Sequence, residues 1–388
     1  MTPLVAILLA PFALLTAFFA VEVIAGLKSG RARPGDGARP TAVIVIPAHD
    51  EAAVIGETVR ALLQDLPERV RVLVVADNCE DHTADRARAA GADVIERRDL
   101  HQRGKGFALA FAAEHLKAGG APDVFAVLDA DCRMEGASIR ALVGGAASGR
   151  PAQAVNLLRP DRGKPPLVQI STFAFMLKNL VRQRGLQRLA GKVHLTGTGM
   201  AMPFDLFRAS RDVRSSIVED LALGLELAAS GHAPMLVHDA TVWSSGSTEQ
   251  GTLTQRRRWE GGFLATALRQ GPKEIWHGLM RGDFRSILAG LDLMVPPLAL
   301  FAFLNAAAIA VAAILTIVLK LDWWPVLVQA GLLAIALGAI FVAWLREGRE
   351  FISIGVLLRL PLYVLWKLPM YLGLVRRGAP AEWLRTGR

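Results

Sequence analysis

Read by hydropathy alone, the chain has uniformly apolar runs near both ends and a middle where short apolar runs alternate with amphipathic ones. PLVAILLAPFALLTAFFAVEVIAGL (3–27) carries one charge, Glu22, and LMVPPLALFAFLNAAAIAVAAILTIVL (293–319) carries none. PVLVQAGLLAIALGAIFVAWL (325–345) is also uncharged. Each is long enough, as a helix, to cross the ~30 Å of a bilayer's hydrocarbon. The first begins without a basic stretch, is too long for a signal peptide and is followed by no small-residue cleavage pattern, so it reads as a retained anchor.

The middle has a different period. TAVIVIP (41–47), VRVLVVAD (70–77), ADVIERR (92–98) and DVFAVLDAD (123–131) read as strands. Between them AAVIGETVRALLQDL (52–66), DHTADRARAAG (81–91) and GKGFALAFAAEHLKAG (104–119) read as helices. Continuously apolar strands alternating with helices predict an α/β domain whose parallel sheet is covered on both faces.

Ligands of such sheets bind beyond the carboxyl ends of the strands. Acidic residues recur there: Asp50 and Glu51 after the first strand, Asp77 ending the second, Asp129 and Asp131 after the last. One carboxylate at such a place is an ordinary helix cap. Several on one edge repel one another unless a cation or a donor-rich ligand neutralises them. A hard divalent ion that also holds phosphates has that requirement. Neither a G-x-G-x-x-G turn after the first strand nor a Walker sequence is present. RGKGFAL (103–109) is the nearest glycine-rich turn and opens a helix, where backbone N–H groups can meet a phosphate.

Charge refines the picture. The chain has 388 residues and a net charge of +9, from 44 basic and 35 acidic side chains, with a mean hydropathy of +0.35. The basic residues gather beside the apolar runs, as with Lys28, Arg31 and Arg33 after the first and Arg346 and Arg349 after the third. Membrane lipids explain this better than nucleic acid, for which no partner role is expected. The same asymmetry places residues 28 to about 285 in the cytoplasm of a multi-pass protein of the inner (plasma) membrane. Only Cys79 and Cys132 are present, in agreement with a reducing compartment. FISIGVLLRLPLYVLWKLPMYLGLV (351–375) is interrupted by Arg359, Pro361, Lys367 and Pro369, and reads as an interfacial or re-entrant pair rather than a fourth crossing.

An ordered set of motifs then resembles one family. IPAHDE (46–51), VADNCEDHTAD (75–85), RGKGFAL, LDAD (128–131), GTGMAMP (197–203), VEDLALGLEL (218–227) and QRRRW (255–259) occur in sequence. Together they are similar to the family 2 glycosyltransferases of the GT-A fold, the inverting, membrane-bound group that includes cellulose, chitin and hyaluronan synthases. The resemblance implies a metal-dependent hexosyltransferase using Mg2+ or Mn2+ and a nucleotide sugar, UDP-linked in most relatives. It implies that Asp50 and Glu51 border the nucleotide pocket, that Asp77 accepts from the base, and that Lys105 approaches the diphosphate. Asp129 would contact the nucleotide sugar and share the metal with Asp131. Asp220 would be the general base, the adjacent Glu219 would bind substrate, and Gln255, Arg258 and Trp259 would line the acceptor and diphosphate end. The second block departs from the family's D-D-G-S-x-D, because Ala76 replaces the first aspartate.

The implied acceptor is lipid-linked or a glycan, in exopolysaccharide or cell-envelope synthesis. A glycolipid (ceramide-like) glucosyltransferase and a catalytically inactive membrane scaffold are the alternatives. The expected organisation is a span at 1–27, a linker at 28–40 and a glycosyltransferase domain at 41–262. Interfacial helices at 263–288 follow, then a membrane region at 289–388 with spans near 290–319 and 325–345.

Overall fold

A computed structural model of the chain describes residues 1–30, 40–210, 219–244 and 249–377. The chain forms two compact units from interleaved stretches. One comprises Gly30–Arg159 and Gly191–Ser245, the other Met1–Ser29, Pro160–Ala190 and Gly246–Arg388.

The first unit is built on a mixed eight-stranded sheet. Its elements are β1 (Ala42–Ala48), α2 (Ile55–Gln64), β2 (Val70–Asp77), α3 (Thr83–Ala89), β3 (Asp93–Arg97), α4 (Lys105–Gly119), β4 (Val124–Val127), β5 (Cys132–Arg133), α5 (Gly136–Ala147), β6 (Ala152–Leu158), β7 (Met200–Pro203), α8 (Phe204–Ala209), α9 (Glu219–Ala229) and β8 (Met235–Ser244). The strand order is β3-β2-β1-β4-β7-β6-β8-β5. The first four strands are parallel, as their apolar runs predict, whereas β7 is antiparallel to both β4 and β6. The apolar run 123–131 stops being a strand at Val127, so Asp129 and Asp131 lie beyond its hydrogen-bonded end.

Alternation along β1 explains why its sequence is apolar throughout. Ala42, Ile44 and Ile46 share a core with Ile55, Val59 and Leu62 of α2 and with Ile139, Leu142 and Val143 of α5. Val43 and Val45 pack on the other face with Leu109, Ala112 and Leu116 of α4. That second core is closed by Phe125, stacked on Phe207 of α8 with ring centroids 4.1 Å apart. Burying both faces of a strand leaves only its carboxyl end open to ligands.

The second unit is helical. It contains α1 (Thr2–Gly26), α6 (Pro166–Met176), a π-helical turn (Leu177–Arg182), α7 (Gln183–Ala190), α10 (Glu249–Arg281), α11 (Phe284–Met294), α12 (Leu298–Val318), α13 (Trp324–Ala343) running into a π turn (Trp344–Gly348), α14 (Ile354–Leu357) and α15 (Leu360–Arg377). Thr2–Gly26, Leu298–Val318 and Trp324–Gly348 are long and apolar enough to span a bilayer. The boundary expected at residue 262 falls inside the unbroken helix α10. Of the expected linker, residues 31–39 lie outside the described residues, as do the terminal arginines Arg385 and Arg388.

Each of the three long helices contributes one polar side chain to a buried cluster. Thr16 donates to Asn305 Oδ1 at 2.8 Å, and Gln329 Nε2 reaches both Asn305 Oδ1 (2.6 Å) and Thr16 Oγ1 (3.2 Å). In a bilayer, where helices gain little from apolar contact, hydrogen bonds of this kind would fix which faces meet.

Three arginines of 165–192 are engaged rather than displayed. Arg182 donates to Glu22 (2.6 Å) and Asp292 (2.6 Å). Arg184 pairs with Glu347 at 2.6 Å, and Arg188 donates to the carbonyls that end α1, those of Ala25, Lys28 and Ser29. Gly185 permits this approach, since a Cβ there would lie 2.1 Å from the carbonyl oxygen of Glu22. The lone charge of the first apolar run is therefore half of a buried ion pair.

Candidate active site

Three adjacent parallel strands, β2, β1 and β4, end at one edge of the sheet, and the expected carboxylates follow them. Register fixes a fourth contributor. Met200 of the antiparallel β7 pairs with Val127, so the turn entering β7 lies beside the turn leaving β4. That turn is Thr196–Gly197–Thr198–Gly199, with φ of +80° at Gly197 and +61° at Gly199, a region open chiefly to glycine. Asp129 N–H donates to Thr198 Oγ1 at 3.1 Å, and Gly199 N–H donates to Val127 O at 2.9 Å. Beneath it, buried Gln153 donates to the carbonyls of Ala154, Thr198 and Gly199 and accepts from Thr196 N–H.

Lys105, the first residue of α4, crosses to this turn. Its ammonium pairs with the Asp129 carboxylate and donates to Gly197 O at 2.7 Å. Asp220 approaches from α9. A Cβ built on Gly197 would lie 3.1 Å from Asp220 Oδ2 and 3.6 Å from Lys105 Nζ. Lys105, Asp129 and Asp220, which are 115 positions apart at the extremes by their numbers, thus converge on one glycine. Asp220 also accepts from Leu221 N–H at 2.9 Å. The side chain of Glu219 lies outside the described residues.

The donor set fits a hard cation. Oxygens of Asp129 and Asp131 and Sγ of Cys132 lie within 4.8 Å of one another. Burial pushes the Cys132 thiol far up, and the two aspartates push it further, so it stays protonated and the oxygens are the available ligands. The Lys105 ammonium on Asp129 is a cation on one of those carboxylates.

The first two acidic positions have a different occupation. Asp50, at φ +53°, accepts from Glu80 N–H (2.7 Å) and Asp81 N–H (3.3 Å). Glu51 N–H donates to Thr83 Oγ1, and Asp81 accepts from Ala52 N–H. These bonds knit the turns after β1 and β2 into one rim. Asp77 is buried, and its carboxylate accepts from Arg97 (2.8 Å) and from Asn78 (3.1 Å). Arg97 was not among the expected residues. Its place opposite Asp77 in the β2–β3 register is the reason for the pairing, and only strand pairing could have revealed it.

QRRRW lies on α10, in the helical unit. The side chains of Gln255 and Arg258 fall outside the described residues. Trp259 packs on Phe175 with ring centroids 5.7 Å apart. Arg256, which the motif does not single out, is buried. It donates through Nε and Nη2 to Ser171 and lies over both Phe175 and Trp259.

Comparison with known proteins identifies the family and the fold. The family described as "Glycosyltransferase like family 2" matches residues 40–262. A mannosyltransferase from Pyrobaculum calidifontis, solved in complex with GDP-Man and Mn2+, superposes with a TM-score of 0.58 at 17% identity, covering 95% of this chain and 100% of that one. At that identity the likeness is one of fold, the GT-A type. Glucosyl-3-phosphoglycerate synthase from Mycobacterium tuberculosis, solved with Mn2+, UDP and phosphoglyceric acid, has a TM-score of 0.42 at 20% identity, covering 58% of this chain and 78% of its own. No curated protein sequence matches the chain.

Proposed function

We propose that this chain, which belongs to the glycosyltransferase-like family 2, moves a sugar from a nucleotide sugar to a lipid-linked or polysaccharide acceptor at the cytoplasmic face of a membrane. The observation that carries this reading is the convergence of Lys105, Asp129 and Asp220 on Gly197, beside Asp131. It supplies, within one turn, a cation for phosphate, carboxylates for a metal and a further carboxylate for a proton.

The proposed reaction is a single, inverting displacement. The acceptor hydroxyl oxygen forms the new bond to the anomeric carbon, and the bond to the nucleoside diphosphate breaks on the opposite side. Asp220 takes the hydroxyl proton, which requires its carboxylate within hydrogen-bond reach. Asp129 and Asp131 would hold Mg2+ or Mn2+, which when bound offsets the charge of the departing diphosphate. Lys105 would bind the same oxygens, and the family resemblance, not the structure, assigns the forked guanidinium of Arg258 to the diphosphate as well. Asp50 and Glu51 would shape the nucleotide rim, and Gln255 and Trp259 the acceptor end. The Mn2+ and GDP-Man held by the Pyrobaculum mannosyltransferase favour a divalent ion and a sugar nucleotide here. The family resemblance favours uridine as the base.

Membrane placement rests on the three long apolar helices and on their surroundings. Trp276, Leu279, Met280 and Phe284 are exposed at the α10–α11 turn, with Lys273, Arg281 and Arg285 among them. Such a mixture favours a bilayer surface. In α15 the Lys367 ammonium pairs with Glu260 and is buried, which favours a helix held against the protein over a fourth crossing.

The test is direct. Purified protein is incubated with a panel of nucleotide sugars and Mn2+ while released UDP or GDP is measured. Turnover with one donor, abolished by EDTA and by Asp131→Asn in a folded protein, is the expected result. Silence across the panel would return the chain to the inactive-scaffold alternative.

A further inference from the structure

In the helical unit two helices lie side by side with matched stripes. Ser171, Phe175 and Lys178 face, in the same order, Arg256, Trp259 and Phe263 of α10. Arg256 bonds Ser171, Trp259 packs on Phe175, and the Lys178 ammonium lies 4.3 Å from the centre of the Phe263 ring. Lys178 sits in the π-helical turn Leu177–Arg182, a widened geometry that recurs at functional sites.

Its environment is unbalanced. The nearby carboxylates are engaged: Asp292 with Arg182, and Glu260 with Lys367 and Tyr371. Among the described residues no carboxylate lies within ion-pair distance of Lys178, while Arg182 and Arg256 add like charge. Arg256 uses Nε and Nη2 on Ser171, and its Nη1 has no hydrogen-bond partner among the described residues. Lys178 is nevertheless solvent-accessible, although protein surrounds it closely enough to lower its pKa to about 8, first by desolvation and then by the Arg182 charge. The exposed ammonium lies over the Phe263 ring, and the neighbouring stripe residues Phe175 and Trp259 are also aromatic.

We propose that this pair of facing stripes binds a phosphate group, with Lys178 as the main contact and Arg256 beside it, and that the phosphate is the head group of the lipid acceptor. Two cations without carboxylate partners are matched by an oxyanion, and an aromatic stripe suits what is attached to it. The lipid source follows from Lys178 and Arg256 belonging to the unit that carries the candidate spans. This deepens the proposed function and rests on it for the word acceptor, though not for the anion.

The experiment measures retention of radiolabelled dodecyl phosphate by the detergent-solubilised full chain, with labelled inorganic phosphate in a parallel arm. Lys178→Gln is expected to weaken dodecyl phosphate binding roughly 10- to 100-fold, the loss of a hydrogen bond to a charged group. Lys178→Arg should retain most of it. Weak inorganic phosphate binding identifies a lipid head group; equal binding of both ligands overturns the lipid assignment. Undiminished dodecyl phosphate binding by a folded Lys178→Gln protein overturns the site. Nucleotide binding with Mn2+ is followed in each variant. Its absence from the wild type with phosphate binding intact refutes the transferase reading instead.

Discussion

Asp77 is where the family resemblance and the fold ask different things of one side chain. The resemblance assigns it to the base of the nucleotide, whereas the structure buries it against Arg97, with side-chain exposures of 6% and 9%. Asp77→Asn keeps the shape and removes the charge. Arg97 is then left with Asp99 alone, at 3.2 Å and with a side chain 35% exposed. Removing one partner of a buried pair costs ~3–5 kcal/mol, because the other charge stays desolvated. Asp99 compensates in part, so the lower figure applies. For a unit of this size ~3 kcal/mol corresponds to a fall in Tm of roughly 6–12 °C.

The assay is thermal unfolding of the solubilised protein, with UDP and GDP binding measured at a temperature where each variant is folded. The double variant Asp77→Leu with Arg97→Met should recover much of the lost stability, since apolar replacement of a buried pair is often neutral. Unchanged Tm in Asp77→Asn, with a selective loss of uridine nucleotide binding, would falsify the pairing argument and hand Asp77 to the base.

Other outcomes are as specific. Asp220→Asn should lower transfer by ~10²–10⁴, the range for a lost general base, while calorimetry finds nucleotide binding little changed. Collapse of nucleotide binding would instead make Asp220 a donor-side residue. Asn305→Leu should destabilise the packing of α1, α12 and α13 by ~1–2 kcal/mol, read as a lower Tm in detergent, and Thr16→Val added to it should cost less than it does alone. Additive losses would deny the cluster. Lys178, facing Arg182, Arg256, Asp292 and Glu260, holds its proton only up to about pH 8, against ~10.4 for an unfolded lysine. Dodecyl phosphate binding should therefore fall as pH rises through about 8 in the wild type and stay level in Lys178→Arg. The sign for stability is opposite: between about 8 and ~10.4 the unfolded chain binds the extra proton, so this residue's contribution to stability rises with pH. A wild-type binding profile that is flat across pH 8 rejects that assignment.

The β1–α2–β2–α3–β3–α4–β4 series was legible because hydrophobic period changes at every boundary there. The later strands were not read. β7 is only MAMP, and it is defined by its partners β4 and β6 rather than by its own alternation. The carboxylates at the strand ends were legible as types in order, since an acidic residue after an apolar run is visible without contacts. What each carboxylate does was not. Asp50 and Asp77 are engaged by backbone N–H groups and by Arg97, partners up to 31 positions away, while Asp129 meets Lys105. Glu22 looked like a blemish in an apolar run until Arg182, 160 residues on, was found against it. Arg256 was hidden inside QRRRW because adjacent arginines on a helix look alike in sequence and point about 100° apart in space.

Charge pairing within each unit bears on which residues are held in reserve for ligands. Buried charges persist when paired, and the cost of leaving one unpaired is several kcal/mol. In the helical unit Arg182 has Glu22 and Asp292, Arg184 has Glu347 and Lys367 has Glu260. Lys178 shares that neighbourhood but is exposed and has no carboxylate within ion-pair distance among the described residues, which leaves its charge available to an anion. In the sheet unit the Lys105 ammonium pairs with Asp129, Asp220 lies near the same glycine, and Asp131 is close to Asp129. A divalent ion arriving with a nucleotide diphosphate would draw the two aspartates to itself and leave Lys105 for the phosphates. A phosphate-headed acceptor at Lys178 and a metal-bound sugar nucleotide at Asp129 and Asp131 are the two ligands that the proposed reading asks of these groups.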